Sequence, residues 1–304
     1  KVRVGGPTSF VDPQNIVLDS LDVAGTLTVP GSLSVAGNAS VSGQLNVAGT
    51  ASTSDTDLSV DGVLTLTSNG GVSLDSAGAL SGSISLGGVS FDSSTAANVT
   101  GTGDTLSLGS SGLNVGASRG GTLSGLTVTN SGPAVLGNAT FGLGTLELNN
   151  GALYTNASGS TFTLHRNSRV QSSVGGGTLR NAGTLSQTGG TTGAFFSSGL
   201  TFENVGGSPG SADGTISVAD GGELEFRGGG TFTGETTLNT SGSGVVDFNA
   251  GTFQFVSGGT LATGGKVRVG GPTSFVDPQN IVLDSLDVAG TLTVPGSLSV
   301  AGNA

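Results

Sequence analysis

The chain has no cysteine, no methionine and no tryptophan, and only one tyrosine and one histidine. Without cysteine there is no disulfide framework and no thiolate metal site. A single histidine cannot form a His-rich metal site. Charged residues make up 10% of the sequence, with no run of one sign. No stretch approaches the ~18–20 apolar residues of a spanning helix, so no membrane span is expected. No start methionine and no signal peptide are visible, so the chain is expected to be an excerpt of a longer one. The formal charge of −11 lacks the basic footprint that nucleic acid requires.

Glycine is abundant, with 58 residues. Such a composition often marks disorder. Here charge is low, mean hydropathy is slightly positive and the apolar residues are periodic, which argues for an ordered fold. The decisive feature is an internal identity. Residues 1–39 recur without substitution as residues 266–304, an offset of 265. A fixed period marks repeat architectures. A duplicated cap or a cloning artefact would also produce identity, but terminal caps normally differ from interior repeats. Residues 1–265 are therefore read as one complete unit, and 266–304 as the start of the next. One unit holds 17 acidic and 7 basic residues, a net −10, so a long array is a polyanion.

Within the unit, Gly25, Gly31, Gly37, Gly43 and Gly49 fall six apart. Between them Leu27/Val29, Leu33/Val35, Ala39/Val41 and Leu45/Val47 sit at i and i+2. Period-2 alternation places these pairs on one face of short strands, and glycine with positive φ suits the corners. Three such hexads make one triangular coil, a pattern that runs over 25–54 and stacks Leu27 on Leu45 and Val29 on Val47. Looser pairs follow from Leu64/Leu66 to Phe253/Phe255, separated by turn dipeptides. No helical periodicity is found.

The expected fold is all-β: a parallel β-helix (β-solenoid) continuous between repeats, right-handed by the rule for parallel crossovers. A string of sandwich domains is the alternative. The hexad strands are short for sandwiches, and no linker-like seam marks the return to KVRV. With about 18–20 residues per coil, a unit has roughly 13–15 coils and is roughly 60–70 Å long.

The stretches GTLTVPGSLSVAGNASVSGQLNVAG and GGTLRNAGTLSQTGGTTG resemble passenger regions of filamentous-haemagglutinin-type and autotransporter-type bacterial surface proteins. The resemblance implies a right-handed β-helix exported to the cell surface, with roles in adhesion, biofilm or envelope structure. The hexads also resemble triple-stranded β-helices of phage tail fibres. The chain departs from both: it shows no secretion domain, and identical units of this length are unusual in phage needles.

Candidate sites are few. His165 lies beside Arg166 and Arg169 and is read as a basic surface patch. Asp55, Asp57 and Asp61 superficially resemble a calcium loop, but the EF-hand spacing and closing Glu are missing. Asp104 lies in one copy of a motif similar to the RTX nonapeptide, which works only when repeated. These carboxylates are read as solvated turn residues. Glu223/Glu225 share a strand face, with Glu203 and Glu235 nearby in sequence. Glycoside hydrolysis needs two carboxylates in one cleft, whereas alternate Glu on an exposed strand is the simpler reading. Thr-x-Thr recurs at 26–28, 65–67, 127–129, 161–163 and 231–233, with spacing too irregular for one ranked array. No catalytic, cofactor-binding or metal site is expected, and no cofactor.

The expected function is a structural extracellular filament at the cell surface, in a sheath or in a biofilm matrix. Its expected partners are neighbouring identical repeats end to end, in the same chain or in head-to-tail subunits, together with other fibres or surface glycans. The alternative is an adhesin binding glycans or a host surface through loops on one face. A carbohydrate-active β-helix enzyme and a phage-type tail fibre rank below both.

Overall fold

The structure, a computed structural model, describes residues 1–9, 15–29, 32–47, 57–67, 71–74, 83–92, 97–116, 119–190, 192–206, 214–276, 280–294 and 297–302. Among them every regular element is a strand. The strands pair in parallel with strands one turn away, so the chain is a parallel β-solenoid with three faces. Val2–Val4, Thr8–Ser9 and Asn15–Leu18 open the first, second and third faces. On the first, Leu21 pairs with Ala39. On the second, Leu27 pairs with Leu45 and Val29 with Val47, a coil of three hexads. The stacking expected from the hexads is therefore present.

Elsewhere the coils are longer. The turn from Leu185 to Ile216 takes nearly twice the chain of the turn from Ile16 to Leu33. The unit accordingly has fewer coils than the hexads predict. Strands alternate buried and half-exposed residues, as at Gly177–Asn181 and Thr215–Val218. Among the described residues, apolar i, i+2 pairs are buried from Leu21/Val23 through Val89/Phe91 to Phe253/Phe255.

The corner glycines serve another purpose than expected. Gly25, Gly37 and Gly43 do not adopt positive φ. A Cβ on Gly43 would collide with the backbone of Ala24 and Gly25 on the rung below, and one on Gly25 with Gly6. Glycine is needed there because corner stacks directly on corner.

Two interior devices were not visible in the sequence. Asn130, Asn156, Asn181 and Asn204 are in register on successive rungs and buried. The Asn156 amide donates to Asn181 Oδ1 (2.9 Å), Asn181 to Asn204 Oδ1 (2.8 Å), and Asn204 to Thr236 Oγ1 (2.9 Å). The ladder gives Asn181 Oδ1 and Asn204 Oδ1 partners along the rod axis, whereas the buried Oδ1 atoms of Asn130 and Asn156 have no hydrogen-bond partner. The second device is an aromatic stack. Phe196, Phe202, Phe226, Phe232, Phe248, Phe253 and Phe255 contact one another at centroid distances of 4.7–6.3 Å.

The stack passes unbroken into the second copy. Val246 pairs with Val267, Phe253 with Phe275 and Leu261 with Ile281. Phe275 packs 5.4 Å from Phe248, 6.1 Å from Phe253 and 5.7 Å from Phe255. Buried rings at these separations bind by area and by edge-to-face geometry.

Candidate functional site

The densest chemistry lies on the outer side of the second face. Parallel register brings Thr145, Arg169, Phe195, Glu225, Asp247, Arg268 and Asp287 into one line along the rod. These residues are outward because their strand neighbours, among them Val170, Phe196, Phe226 and Phe248, point into the core. Arg169 Nε donates to Thr145 Oγ1 at 3.1 Å. The Arg227 guanidinium stands over the Phe195 ring, 4.0 Å from its centroid, a cation–π contact. Arg227 also donates to Glu225, and the Asn249 amide to the other oxygen of Glu225.

The line ends in a charged clamp across the copy junction. Arg268 donates to Asp247 Oδ2 at 2.6 Å and to Glu223 Oε1. Asp247 Oδ1 accepts from the Gly270 backbone N–H at 3.0 Å. Asp247 is buried, and its hydrogen bond to Arg268 raises the arginine pKa further above its ordinary value, with burial opposing. A buried carboxylate survives because both oxygens are partnered by donors.

Glu223 and Glu225 do lie on the outer side of one strand, as the alternation requires. Each carboxylate is held by an arginine. The other two acids are elsewhere. Glu203 pairs with Arg180 at 2.7 Å on the third face, and Glu235 stands at the corner between the third and first faces. The four do not share a cleft. The carboxylates brought together are instead Glu225 and Asp247, one rung apart, a pair hidden in sequence because a whole coil separates them.

His165 and Arg166 occupy a corner, whereas Arg169 is on the adjoining second face. His165 Nδ1 is 2.8 Å from Thr188 Oγ1, and Arg166 reaches the Thr140 carbonyl. Partial burial lowers the His165 pKa. Among the described residues no three His, Asp or Glu side chains form a group that could hold a metal ion. Asp55, and the side chains of Asp57, Asp61 and Asp104, lie outside the described residues.

The five Thr-x-Thr segments are spread over all three faces. A different alignment emerges on the first face, where Thr161, Thr184, Thr215 and Thr237 are in register over four rungs. Irregular coil length hid it.

No protein-family model, no curated protein and no solved structure matches the chain. What it is follows from the ladders above. It is a β-solenoid built from tandem units.

Proposed function

We propose that the protein is a structural extracellular filament, a stiff anionic rod of tandem units at a cell surface, in a sheath or in a biofilm matrix. One observation carries this reading. The first rungs of the second copy are hydrogen-bonded in register onto the last rungs of the first, with apolar and aromatic columns continuing through the junction. Each coil touches only its neighbours, so such a stack extends without limit and its stability sums along the rod. The next unit covers the exposed strand edges of the last, which otherwise invite aggregation. A net −10 per unit keeps neighbouring rods apart. The reading agrees with the resemblance to filamentous-haemagglutinin-type and autotransporter-type passengers, and it assigns no catalytic role. The positions of the glutamates support that assignment, because Glu223 and Glu225 are paired with arginines on the second face while Glu203 and Glu235 lie elsewhere.

Electron microscopy of the native material tests the proposal. Fibres with an axial repeat of roughly 55 Å per unit, from rungs ~4.8 Å apart, are expected. Isolated globules overturn it.

A second reading, adhesion, has one specific support. Phe141 and Leu143 stand exposed (67% and 47%) on a corner loop, with Leu143 at φ 60°. A non-glycine aliphatic residue in the left-handed region is strained, and strain of this kind gathers at binding sites. Loss of cell or glycan binding in Phe141→Ser, with an unchanged fold, is the result this reading requires.

A further inference from the structure

The sequence repeat and the solenoid turn do not close together. Along the first face the pairings run Val2, Leu21, Ala39, Leu64, Val89, Leu113, Ala134, Phe162, Leu185, Ile216, Leu238, Thr263. These eleven steps are eleven turns. The chain then enters Lys266–Val269, the twin of the strand that opened the first face. That strand does not return to the first face. It pairs with Val245–Phe248, on the second. The twin of Thr8–Ser9 lies in Pro272–Val276, on the third face, and Asn280–Leu283, the twin of Asn15–Leu18, lies on the first. All three twins are displaced by one face in the same direction. One unit therefore advances the rod by eleven turns and a third.

We propose that the starting edge of each unit is a docking surface for the finishing edge of another copy, and that it accepts that copy only with a rotation of one face. A tandem array is then a three-sided rod whose surface repeats every third unit. This rests on the filament reading and adds the geometry of its unit-to-unit contact. The contacts at the junction select the rotation. Arg268 meets Asp247 and Glu223 only on the second face. The last rung of the first face, Thr260–Thr263, has no carboxylate to offer it. The Thr273 hydroxyl donates to the Phe248 carbonyl at 2.9 Å, and the Lys266 backbone N–H donates to Thr240 Oγ1 at 2.8 Å. Phe275 completes the aromatic stack only from the third face. In consequence a feature that occurs once per unit, such as the Phe141–Leu143 corner, points to three sides in turn.

The chain itself can be tested, because it has no native cysteine. Val17 and its twin Val282 are both exposed (74% and 40%), on the third and first faces. Val17→Cys and Val282→Cys, biotinylated and marked with streptavidin, locate the twins by electron microscopy. A second chain additionally lacks one hexad, residues 37–42, which removes a third of a turn between the labels. The proposal expects two labels at a fixed axial spacing, offset by one face in the full-length chain and brought onto the same side in the shortened one. Labels on the same side in the full-length chain, and offset by one face only in the shortened one, overturn the rotation while leaving the filament standing. Labels with no fixed spacing overturn the filament reading and the rotation with it.

Discussion

Arg268 and Asp247, 2.6 Å apart, belong to different copies of the repeat, whereas the twin of Arg268, Arg3, leans on Asp22 of its own copy at 3.5 Å. Identical sequence thus makes different contacts, depending on whether a rung precedes it. The Arg3 side chain is 77% exposed and that of Arg268 is 35%. Removing the acid should therefore be felt at the junction. Asp247→Ala leaves Arg268 short of a partner and the Gly270 N–H unpaired. We expect a cost of about 1–2 kcal/mol, less than for a fully buried pair because Arg268 reaches solvent. Hydrogen exchange of residues 245–270 should quicken, while residues 1–9 should be unaffected.

Twin glycines offer a sharper comparison. Gly6 has nothing near a hypothetical Cβ, but Gly271 would drive one into the Asn249 backbone. Gly6→Ala is expected to be close to neutral in this chain. Gly271→Ala should cost about 1–3 kcal/mol, because backbone cannot give way as a flexible side chain does. Denaturant midpoints of the two variants check this, and equal midpoints contradict it.

Polar groups in the core separate those with partners from those without. Asn181 bridges Asn156 and Asn204, so Asn181→Ala strands the Asn204 Oδ1 acceptor, while the Asn156 amide keeps the Ser160 and Thr184 carbonyls, and should cost about 1–3 kcal/mol. Tyr154 is fully buried, and its hydroxyl has no hydrogen-bond partner in the structure. Burial raises its pKa well above the ordinary value. Tyr154→Phe should leave stability unchanged or raise it by about 1 kcal/mol, since the unpartnered hydroxyl is a cost. A large loss on Tyr154→Phe would show that the hydroxyl is satisfied after all.

Two groups set a pH dependence. Hydrogen bonds from the Ser243 N–H and hydroxyl lower the Asp220 pKa. Its contribution is present above the unfolded carboxylate value and is lost as pH falls through the lower folded value. Ser243→Ala should move the Asp220 titration upward in a carbon-detected NMR series. His165 is also lowered, by burial, so the unfolded chain takes up its proton first. Stability should therefore fall as pH drops below about 6.5. His165→Gln should flatten that slope.

Much of the coil was legible in the sequence because it is local. Alternation at i, i+2 shows which side of a strand is wet, and glycines every six residues show where the chain bends. Leu27 over Leu45 therefore follows from the hexads alone. The reason for the glycines does not, since Gly43 answers to Ala24 and Gly25 on another rung rather than to its own φ. The turns were overcounted for a related reason. The three-hexad coil was extended to a unit in which some coils are nearly twice as long.

By itself, then, the sequence determined that the chain is all-β, that its strands are short and one-sided, and that the pattern restarts at Lys266. Tertiary structure alone decided which residues became neighbours along the axis. A surface loop lengthens at little entropic cost, so nothing local ties a rung to a fixed distance in sequence. Only pairing with the rung below sets the register. That register created the asparagine ladder, placed Asp247 beside Arg268, and left each copy turned by one face from the last.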